Sequence, residues 1–225
     1  MNKNGRQSFI SRALARTLAP LALALSFATP AQAASVSYFL DQSNVFADGV
    51  NYLQVTIADG ADGAIDFTVE ALAPLLSIAG SNFGIQGFAF NVGSGSDATN
   101  LDVTNLPAGW RTRADFRMAS FGVFDIKVNG GGASRLSSFS FSINGIEGDT
   151  PEDYLALSTR RAADGNQFFA AKVGGFLCQE GAKKCFSSGY FGGSTAVPLP
   201  AAAWLFLTGM AGVAIRARRR STSRA

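Results

Sequence analysis

Residues 51–72 read NYLQVTIADGADGAIDFTVEAL, and this stretch decides the fold. Apolar and polar side chains alternate on both sides of a central ADGADG segment at residues 58–63. Alternation with a period of two places the apolar side chains on one face of an extended strand. Because Gly and Asp favour turns, the stretch predicts a β-hairpin with one apolar and one polar face. The apolar positions are Leu53, Val55, Ile57, Ile65, Phe67 and Val69.

The same alternation recurs along the chain and predicts further strands. It is present at residues 88–92, 124–128 and 139–143, and residues 168–176 predict a closing strand. The NGGG turn after the second of these segments predicts another hairpin over about residues 121–144. Thr150, Pro151 and Asp153 form a helix-capping pattern, so a short connecting helix is expected to begin there and run to about Leu157.

Strands with one polar face predict an all-β, antiparallel β-sandwich. Each such sheet has one solvated side, and two of them hide their apolar faces against each other. The chain contains 19 Phe residues, which could fill a core or form a sugar-stacking platform. Because the Phe residues in the strands alternate with Ser and Asp, the pattern favours core packing.

The first 33 residues have the three parts of a secretory signal peptide. A basic leader precedes an apolar run at residues 18–28, and Ala31 and Ala33 mark a small-residue site, so we place cleavage after Ala33. About 11 apolar residues span only ~16 Å as a helix, which disfavours a retained membrane anchor. The signal implies export through the Sec translocon and removal of residues 1–33 by signal peptidase.

The C-terminal tail also has three parts, and residues 197–220 read VPLPAAAWLFLTGMAGVAIRARRR. A proline-containing motif at residues 197–200 precedes an apolar span at 201–215 and an arginine-rich end at 216–220. The span rises ~22 Å as a helix, short of a ~30 Å hydrocarbon core, but Trp204 and the arginines can extend it into the interfaces. The tail therefore predicts a transient inner-membrane anchor with the arginines on the cytoplasmic side.

This tail resembles the PEP-CTERM sorting signal, in its VPLPA variant, over residues 196–220. The resemblance implies recognition by an exosortase, a membrane-embedded transpeptidase-like enzyme. It also implies removal of the tail during delivery to the cell surface or extracellular matrix of Gram-negative bacteria that make exopolysaccharide. The matching residues are Val197, Pro198, Leu199, Pro200, Trp204, Arg218, Arg219 and Arg220.

The middle of the chain, residues 34–195, is also similar to other PEP-CTERM proteins. This resemblance implies a jelly-roll-like or immunoglobulin-like sandwich and does not imply an activity. Similar sequences are expected to carry His where this chain has Lys172, so any metal ligand at that position would be lost here. The matching segments are residues 87–92, 121–125, 136–143 and 169–173.

Charge is unevenly distributed along the chain. Of 19 Lys and Arg residues, four lie in the leader and five in the tail, which leaves 10 in residues 34–195 beside all 16 Asp and Glu. The net charge of that segment is about −6, which repels a polyphosphate and argues against a nucleic-acid partner. Its length suits one domain with a core.

The chain contains no His, which excludes Ser-His-Asp and Cys-His catalysis and His-based zinc sites. Two carboxylates could still cleave a glycosidic bond, and Glu70, Asp125, Glu147 and Glu152 are available. Acidic residues on the polar face of strands and in turns are, however, typical of solvated surface. The DGADG turn at residues 59–63 lacks the D-x-D-x-D-G spacing of a calcium loop. We expect neither an enzyme nor a cofactor, with calcium at this turn as an open alternative.

The two cysteines, Cys178 and Cys185, predict a disulfide because export places them in an oxidising compartment. A bridge across so short a loop would contribute roughly 2–3 kcal/mol in the chain-entropy model. A metal or redox pair is disfavoured, since six residues separate the cysteines and no His accompanies them.

Trp110, Arg111 and Arg113 form the candidate glycan-binding site. An indole beside guanidinium groups can stack on a sugar or clamp an anionic polysaccharide. The competing interpretation, which the pattern favours, is a core Trp at the start of a strand flanked by solvated charges. Arg160 and Arg161 are a weaker binding candidate.

Taken together, the sequence predicts an exported, non-enzymatic protein with a structural or adhesive role associated with exopolysaccharide. The alternative is a carbohydrate-binding module, and a carboxylate-dependent glycosidase is less favoured.

Overall fold

The computed structural model describes residues 34–93, 101–144, 146–178 and 185–196. Over these residues the chain forms two six-stranded antiparallel sheets, which confirms the expected all-β class. The predicted signal peptide with Ala31 and Ala33, the sorting motif, the apolar span and the arginine-rich end lie outside the described residues. Within the described segments, no helix has the length and hydropathy needed to cross a bilayer.

The two sheets are built from short strands that alternate between them along the chain. In chain order the strands are β1 (Ser35–Leu40), β2 (Gln42–Ser43), β3 (Leu53–Asp59), β4 (Ile65–Ala71), β5 (Ala79–Phe90), β6 (Asp102–Thr104), β7 (Arg111–Arg117), β8 (Val123–Asn129), β9 (Ser138–Asn144), β10 (Phe169–Phe176), β11 (Ser188–Gly193) and β12 (Thr195–Ala196). Sheet A has the order β12-β1-β3-β4-β9-β6, and sheet B has the order β2-β11-β10-β5-β8-β7. A one-turn helix, α1 (Ala73–Leu76), links β4 to β5.

The predicted hairpin at residues 51–72 is confirmed. Strands β3 and β4 pair antiparallel, with Val55 opposite Val69 on the inner face and Thr56 opposite Thr68 on the outer face. All the alternating apolar side chains of this stretch are buried. The turn contains a short 3₁₀ segment, Ala61–Gly63, so the Gly-Asp sequence does form the reversal that its composition indicated.

The predicted second hairpin at about residues 121–144 is wrong. Both of its strands exist, but β8 pairs with β5 and β7 in sheet B, whereas β9 pairs with β4 and β6 in sheet A. Residues 130–137 therefore carry the chain from one sheet to the other. The error has a physical cause: alternation shows which side chains share a face, but it does not show which strand lies alongside.

The strand predicted at residues 168–176 is confirmed as β10, but it does not close the fold. It lies between β5 and β11 in the middle of sheet B. The chain continues into β11, whose sequence SGYFGG contains too few large side chains to give an alternating pattern. The strand expected at residues 88–92 is the end of the longer β5.

Aromatic rings fill the space between the two sheets, as expected from the Phe pattern. Phe67 of sheet A contacts Phe88 and Phe90 of sheet B, with ring centroids 6.4 Å and 5.0 Å apart. It also stacks on Phe141 of its own sheet at 4.8 Å. These side chains belong to one continuous hydrophobic core to which both sheets contribute, so the arrangement is sandwich-like.

The helix predicted near Thr150 is present as a 3₁₀ helix, Pro151–Tyr154, and it ends before the expected Leu157. The backbone N–H and the hydroxyl of Thr150 both donate to the Asp153 carboxylate at 2.9 Å, which completes the capping box. Tyr154 is fully buried, and its hydroxyl donates to Asp149. Burial, followed by the Asp149 contact, raises the pKa of Tyr154, so its hydroxyl stays protonated and anchors this helix to the core.

The first and last strands of the domain pass from one sheet to the other side by side. We call these strands the terminal ribbon, which consists of β1, β2, β11 and β12. Strand β1 pairs with β12 in sheet A, and β2, which follows β1 after one residue, pairs with β11 in sheet B. Gly193 lies at the crossing, where an added Cβ would be 2.0 Å from the Phe39 carbonyl oxygen. Only glycine therefore allows the two sheets to approach each other this closely along this edge.

Candidate functional site on the outer face of sheet B

The outer faces of the two sheets differ in chemistry. The strands of sheet A contain no Lys or Arg, and their outer face carries paired hydroxyl groups. Ser37 and Thr56 lie 2.9 Å apart between their side-chain oxygens, and Thr68 and Ser140 lie 3.0 Å apart. Sheet A thus has the solvated polar side that alternation predicted.

The outer face of sheet B is partly covered, so the expectation of one solvated side per sheet is wrong for this sheet. The 3₁₀ turn Ala119–Phe121 folds back over it and places Phe121 against β11. A second, smaller hydrophobic cluster forms here beside the main core. Its buried members are Ala89, Met118, Phe121, Phe124 and Ala170. Five of the ten basic residues in residues 34–195 gather on the remainder of this face.

Strand register brings basic residues from distant parts of the chain together on this face. Arg113 of β7 lies opposite Lys127 of β8. Lys172 of β10 lies opposite Gly87 of β5 on one side and Tyr190 of β11 on the other. We call Arg111, Arg113, Lys127, Arg135 and Lys172 the cationic face.

Lys127 is the centre of the cationic face and is only 5% exposed. Its ammonium lies 3.8 Å from the centroid of the Phe116 ring, a cation–π contact. Gly87 leaves room for the lysine stem, because a Cβ there would lie 2.7 Å from Lys127 Cε. Among the described residues, no hydrogen-bond acceptor or carboxylate contacts this ammonium, so no described residue neutralises its charge.

The electrostatics of Lys127 reflect this confinement. Its pKa is lowered to about 8, first by burial and then by repulsion from the Lys172 ammonium and the Arg113 guanidinium. Lys172 and Arg113 are therefore close enough to Lys127 for their positive charges to lower its pKa. Lys172 in turn lies 5.5 Å from the centroid of the Tyr190 ring, which gives this face a second aromatic surface.

Arg135 extends the cationic face toward Gly174. Its guanidinium donates to the Asn82 carbonyl oxygen at 3.1 Å and to Gln86 Oε1 at 3.3 Å. Its Nε is buried and has no hydrogen-bond partner in the described part of the chain. The face thus holds one buried donor that the described part of the chain leaves unsatisfied, and such a donor is unfavourable in isolation.

The structure separates the three predicted glycan-binding residues. Trp110 is 6% exposed, its Nε1 donates to the Ser134 carbonyl oxygen at 2.9 Å, and its ring lies 4.4 Å from that of Phe139. It is therefore a core residue, which was the competing interpretation. Arg111 and Arg113 are exposed on β7 and belong to the cationic face.

The alternative metal and carboxylate sites gain no geometric support. In the turn at residues 59–63, Asp59 accepts a hydrogen bond from the Ala34 N–H at 2.8 Å. The described residues contain no group of three His, Cys, Asp or Glu side chains placed to hold a metal ion. Glu70 lies in sheet A, whereas Asp125 lies in sheet B and accepts the Val92 N–H at 3.1 Å. Glu70 and Asp125 therefore do not form the pair of neighbouring carboxylates that hydrolysis of a glycosidic bond requires.

The predicted disulfide between Cys178 and Cys185 is present. It lies between the end of β10 and the start of β11 and borders a half-open cavity of about 310 Å³. Aromatic and aliphatic side chains line most of this cavity, among them Phe46, Tyr52 and Ile78. The loop that joins the two cysteines, residues 179–184, lies outside the described residues, so we assign no site there.

Comparison with known proteins gives no match to a protein-family model, to a curated protein or to a solved structure.

A stability measurement can test whether Lys127 is held at an energetic cost. We expect Lys127→Met to stabilise the protein by about 1–3 kcal/mol at pH 7, because a desolvated and repelled charge is replaced by an apolar side chain of similar length. The pKa of Lys127 is about 8 in the folded state against 10.5 for an ordinary lysine, so the unfolded state binds more protons between these values. The contribution of Lys127 to the free energy of unfolding of the wild type therefore rises between pH 8 and pH 10.5. The difference in stability between Lys127→Met and the wild type becomes smaller over the same pH range.

Denaturant unfolding at pH 7, 8, 9 and 10 measures this difference. Arg160→Met is the control, since that exposed residue lies outside the cationic face and should show little pH-dependent difference from wild type. A Lys127→Met variant that is less stable than wild type at pH 7 would contradict the inferred energetics.

Proposed function

We propose that this chain is an exported, non-enzymatic protein of the cell surface or extracellular matrix, sorted by an exosortase and associated with exopolysaccharide. The observation that carries the proposal is the three-part tail, in which the VPLP motif, the apolar span and the arginine-rich end follow in order. In this proposal residues 1–33 and the tail are removed, and the β domain between them has a structural or adhesive role. The finer assignment of the fold, a jelly-roll-like or immunoglobulin-like sandwich, belongs to the same proposal.

One feature of the described residues supports this proposal. The disulfide between Cys178 and Cys185 is consistent with an oxidising compartment.

A carbohydrate-binding module is the second candidate, and one observation favours it. The cationic face concentrates basic residues in a domain whose net charge is about −6. By contrast, two of the candidate carboxylates of the glycosidase alternative, Glu70 and Asp125, lie in different sheets and do not form a pair.

Processing of the tail tests the proposed function directly. We expect the double substitution Pro198→Ala and Pro200→Ala to leave a membrane-bound precursor, because the residues that the processing enzyme would read are gone. Intact mass spectrometry of protein from the native host measures the result. In the wild type, the N-terminus is expected at Ala34 and the C-terminus within the tail.

The matched control is Ser221→Ala with Ser223→Ala, which changes two residues of the tail outside the motif, the span and the arginine-rich end. This variant should be released like the wild type. Normal release of the double proline variant would count against recognition of the motif, and intact termini on cytosolic protein would refute export altogether.

A further inference from the structure

The cationic face presents positive charge that the domain does not neutralise. Lys127 is buried beside Phe116, repelled by Lys172 and Arg113, and free of any contacting carboxylate in the described residues. The nearest acidic residue in sequence, Asp125, accepts the Val92 N–H. Repulsion among these positive charges is unfavourable, and an anion bound between them would offset it.

The shape of the face limits what that anion can be. The basic residues come from β7, β8 and β10 and from the link between β8 and β9, so they form a strip that crosses several strands. Neighbouring strands in a sheet lie ~4.8 Å apart, which spaces the charges along the strip. A flat strip of spaced charges suits an extended polymer with repeated single charges better than a small ligand, which binds in a concave pocket.

Side chains between the cations indicate a sugar rather than a nucleic acid. The Tyr190 ring beside Lys172 and the Phe116 ring beside Lys127 offer flat apolar surfaces, and Asn129 and Gln86 offer amide groups for hydroxyl recognition. The net charge of about −6 repels every polyanion, and it repels a polyphosphate more strongly than a sugar polymer with spaced single charges because the polyphosphate has the denser charge.

We propose that the cationic face binds an acidic polysaccharide, with sugar carboxylates seated between Lys127, Lys172 and Arg113 and a sugar ring against Tyr190. This inference deepens the proposed function and depends on it for the association with exopolysaccharide. It assigns a ligand class to the mature domain, and it gives Lys127 a role that its unfavourable position on the outer face of sheet B would not otherwise explain.

Binding of defined oligosaccharides tests the proposal. The protein is purified from the host fraction in which it is found. Isothermal titration calorimetry then measures its binding to oligogalacturonate and, as the uncharged control ligand, to the methyl ester of oligogalacturonate. We expect binding of the acid form only, with an affinity that falls as salt rises. Lys127→Gln and Lys172→Gln should each weaken binding about tenfold or more, since each removes one charge-assisted contact.

The control is Arg117→Gln, which removes one exposed positive charge at the end of β7, outside the cationic face, and should leave affinity within about twofold. A second measurement protects the test against misfolding of a variant. In the wild type, the pKa of Lys127, followed by NMR of its side chain, should rise from about 8 when oligogalacturonate is added, because a neighbouring carboxylate favours the charged form.

Several results would overturn the proposal. Equal binding of the acid and the methyl ester, or no binding of either with an unchanged Lys127 pKa, would remove the acidic polysaccharide as ligand. Tighter binding of a short DNA duplex, lost in the same lysine variants, would make the face a polyphosphate surface instead. Sorting is read from the host fraction and from the termini, so a failure of sorting does not alter these binding results.

Discussion

Phe67→Ala is expected to lower the free energy of unfolding by about 4 kcal/mol, the largest effect of any single core truncation considered for this domain. The Phe67 side chain is fully buried and its ring meets rings from both sheets. Its edge-on contact with Tyr154, at 5.4 Å, also ties the 3₁₀ helix to the core. Removal of the ring leaves a cavity at the point where three structural elements meet, and a domain stabilised by 5–15 kcal/mol loses a large share of its stability.

Urea unfolding followed by tryptophan fluorescence measures this loss, because Trp110 is buried in the same core. Phe168→Ala is the matched control: this Phe is only partly buried at the margin of the core, and we expect it to cost less than half as much. Equal losses for the two variants would show that Phe67 is not the organising residue of the interface between the sheets.

Gly193→Ala is expected to cost about 3 kcal/mol or to prevent folding, although it adds a single methyl group. The new Cβ would lie 2.0 Å from the Phe39 carbonyl oxygen and 2.6 Å from Leu40 Cα, and both are backbone atoms that a side-chain rotation cannot move. The substitution therefore forces β11 away from β1, and the pairing of β1 with β12 is lost with it.

Gly132→Ala provides the comparison for the effect of a methyl group alone. An added Cβ at Gly132 meets only the Arg135 guanidinium, at an ordinary contact distance of 3.6 Å. Its expected change in stability is within about 0.5 kcal/mol, the range of surface substitutions. Thermal unfolding of the two variants side by side distinguishes close backbone approach at Gly193 from a general sensitivity to glycine replacement.

Six of the twelve described strands could be predicted from sequence, because each of these carries its own signal. The alternation in residues 51–72 specifies a face, a turn and a neighbour at once, since a short turn leaves only one partner within reach. Strands β8 and β9 carry equally clear alternation, yet the link between them is long enough to reach the other sheet. Their partners are selected by contacts with β4 and β5, which are distant in sequence, and no local pattern reports such contacts.

The candidate site was predicted only in part for a similar reason. The sequence predicts a site at Arg111 and Arg113 because they adjoin Trp110, but Trp110 packs in the core and the arginines face outward. The alternation around Lys127 indicates only an ordinary polar residue on the outer side of a strand. Lys172 differs from the expected His, and the sequence indicates nothing more about it. Their association depends on the registers of β10 with β5 and of β8 with β7, which the sequence does not reveal.

The terminal ribbon has a mechanical consequence for the proposed attachment of the domain through its C-terminal tail. Tyr38 lies opposite Ala196, so the last described residue before the tail lies beside the first strand. A pull on the tail reaches β12 first, passes to β1 through their hydrogen bonds, and reaches both sheets through β2 and β11. A force on the tail therefore acts on the first and last strands of the domain at the same edge. The hydrogen bonds of the terminal ribbon must break before the force reaches the aromatic core.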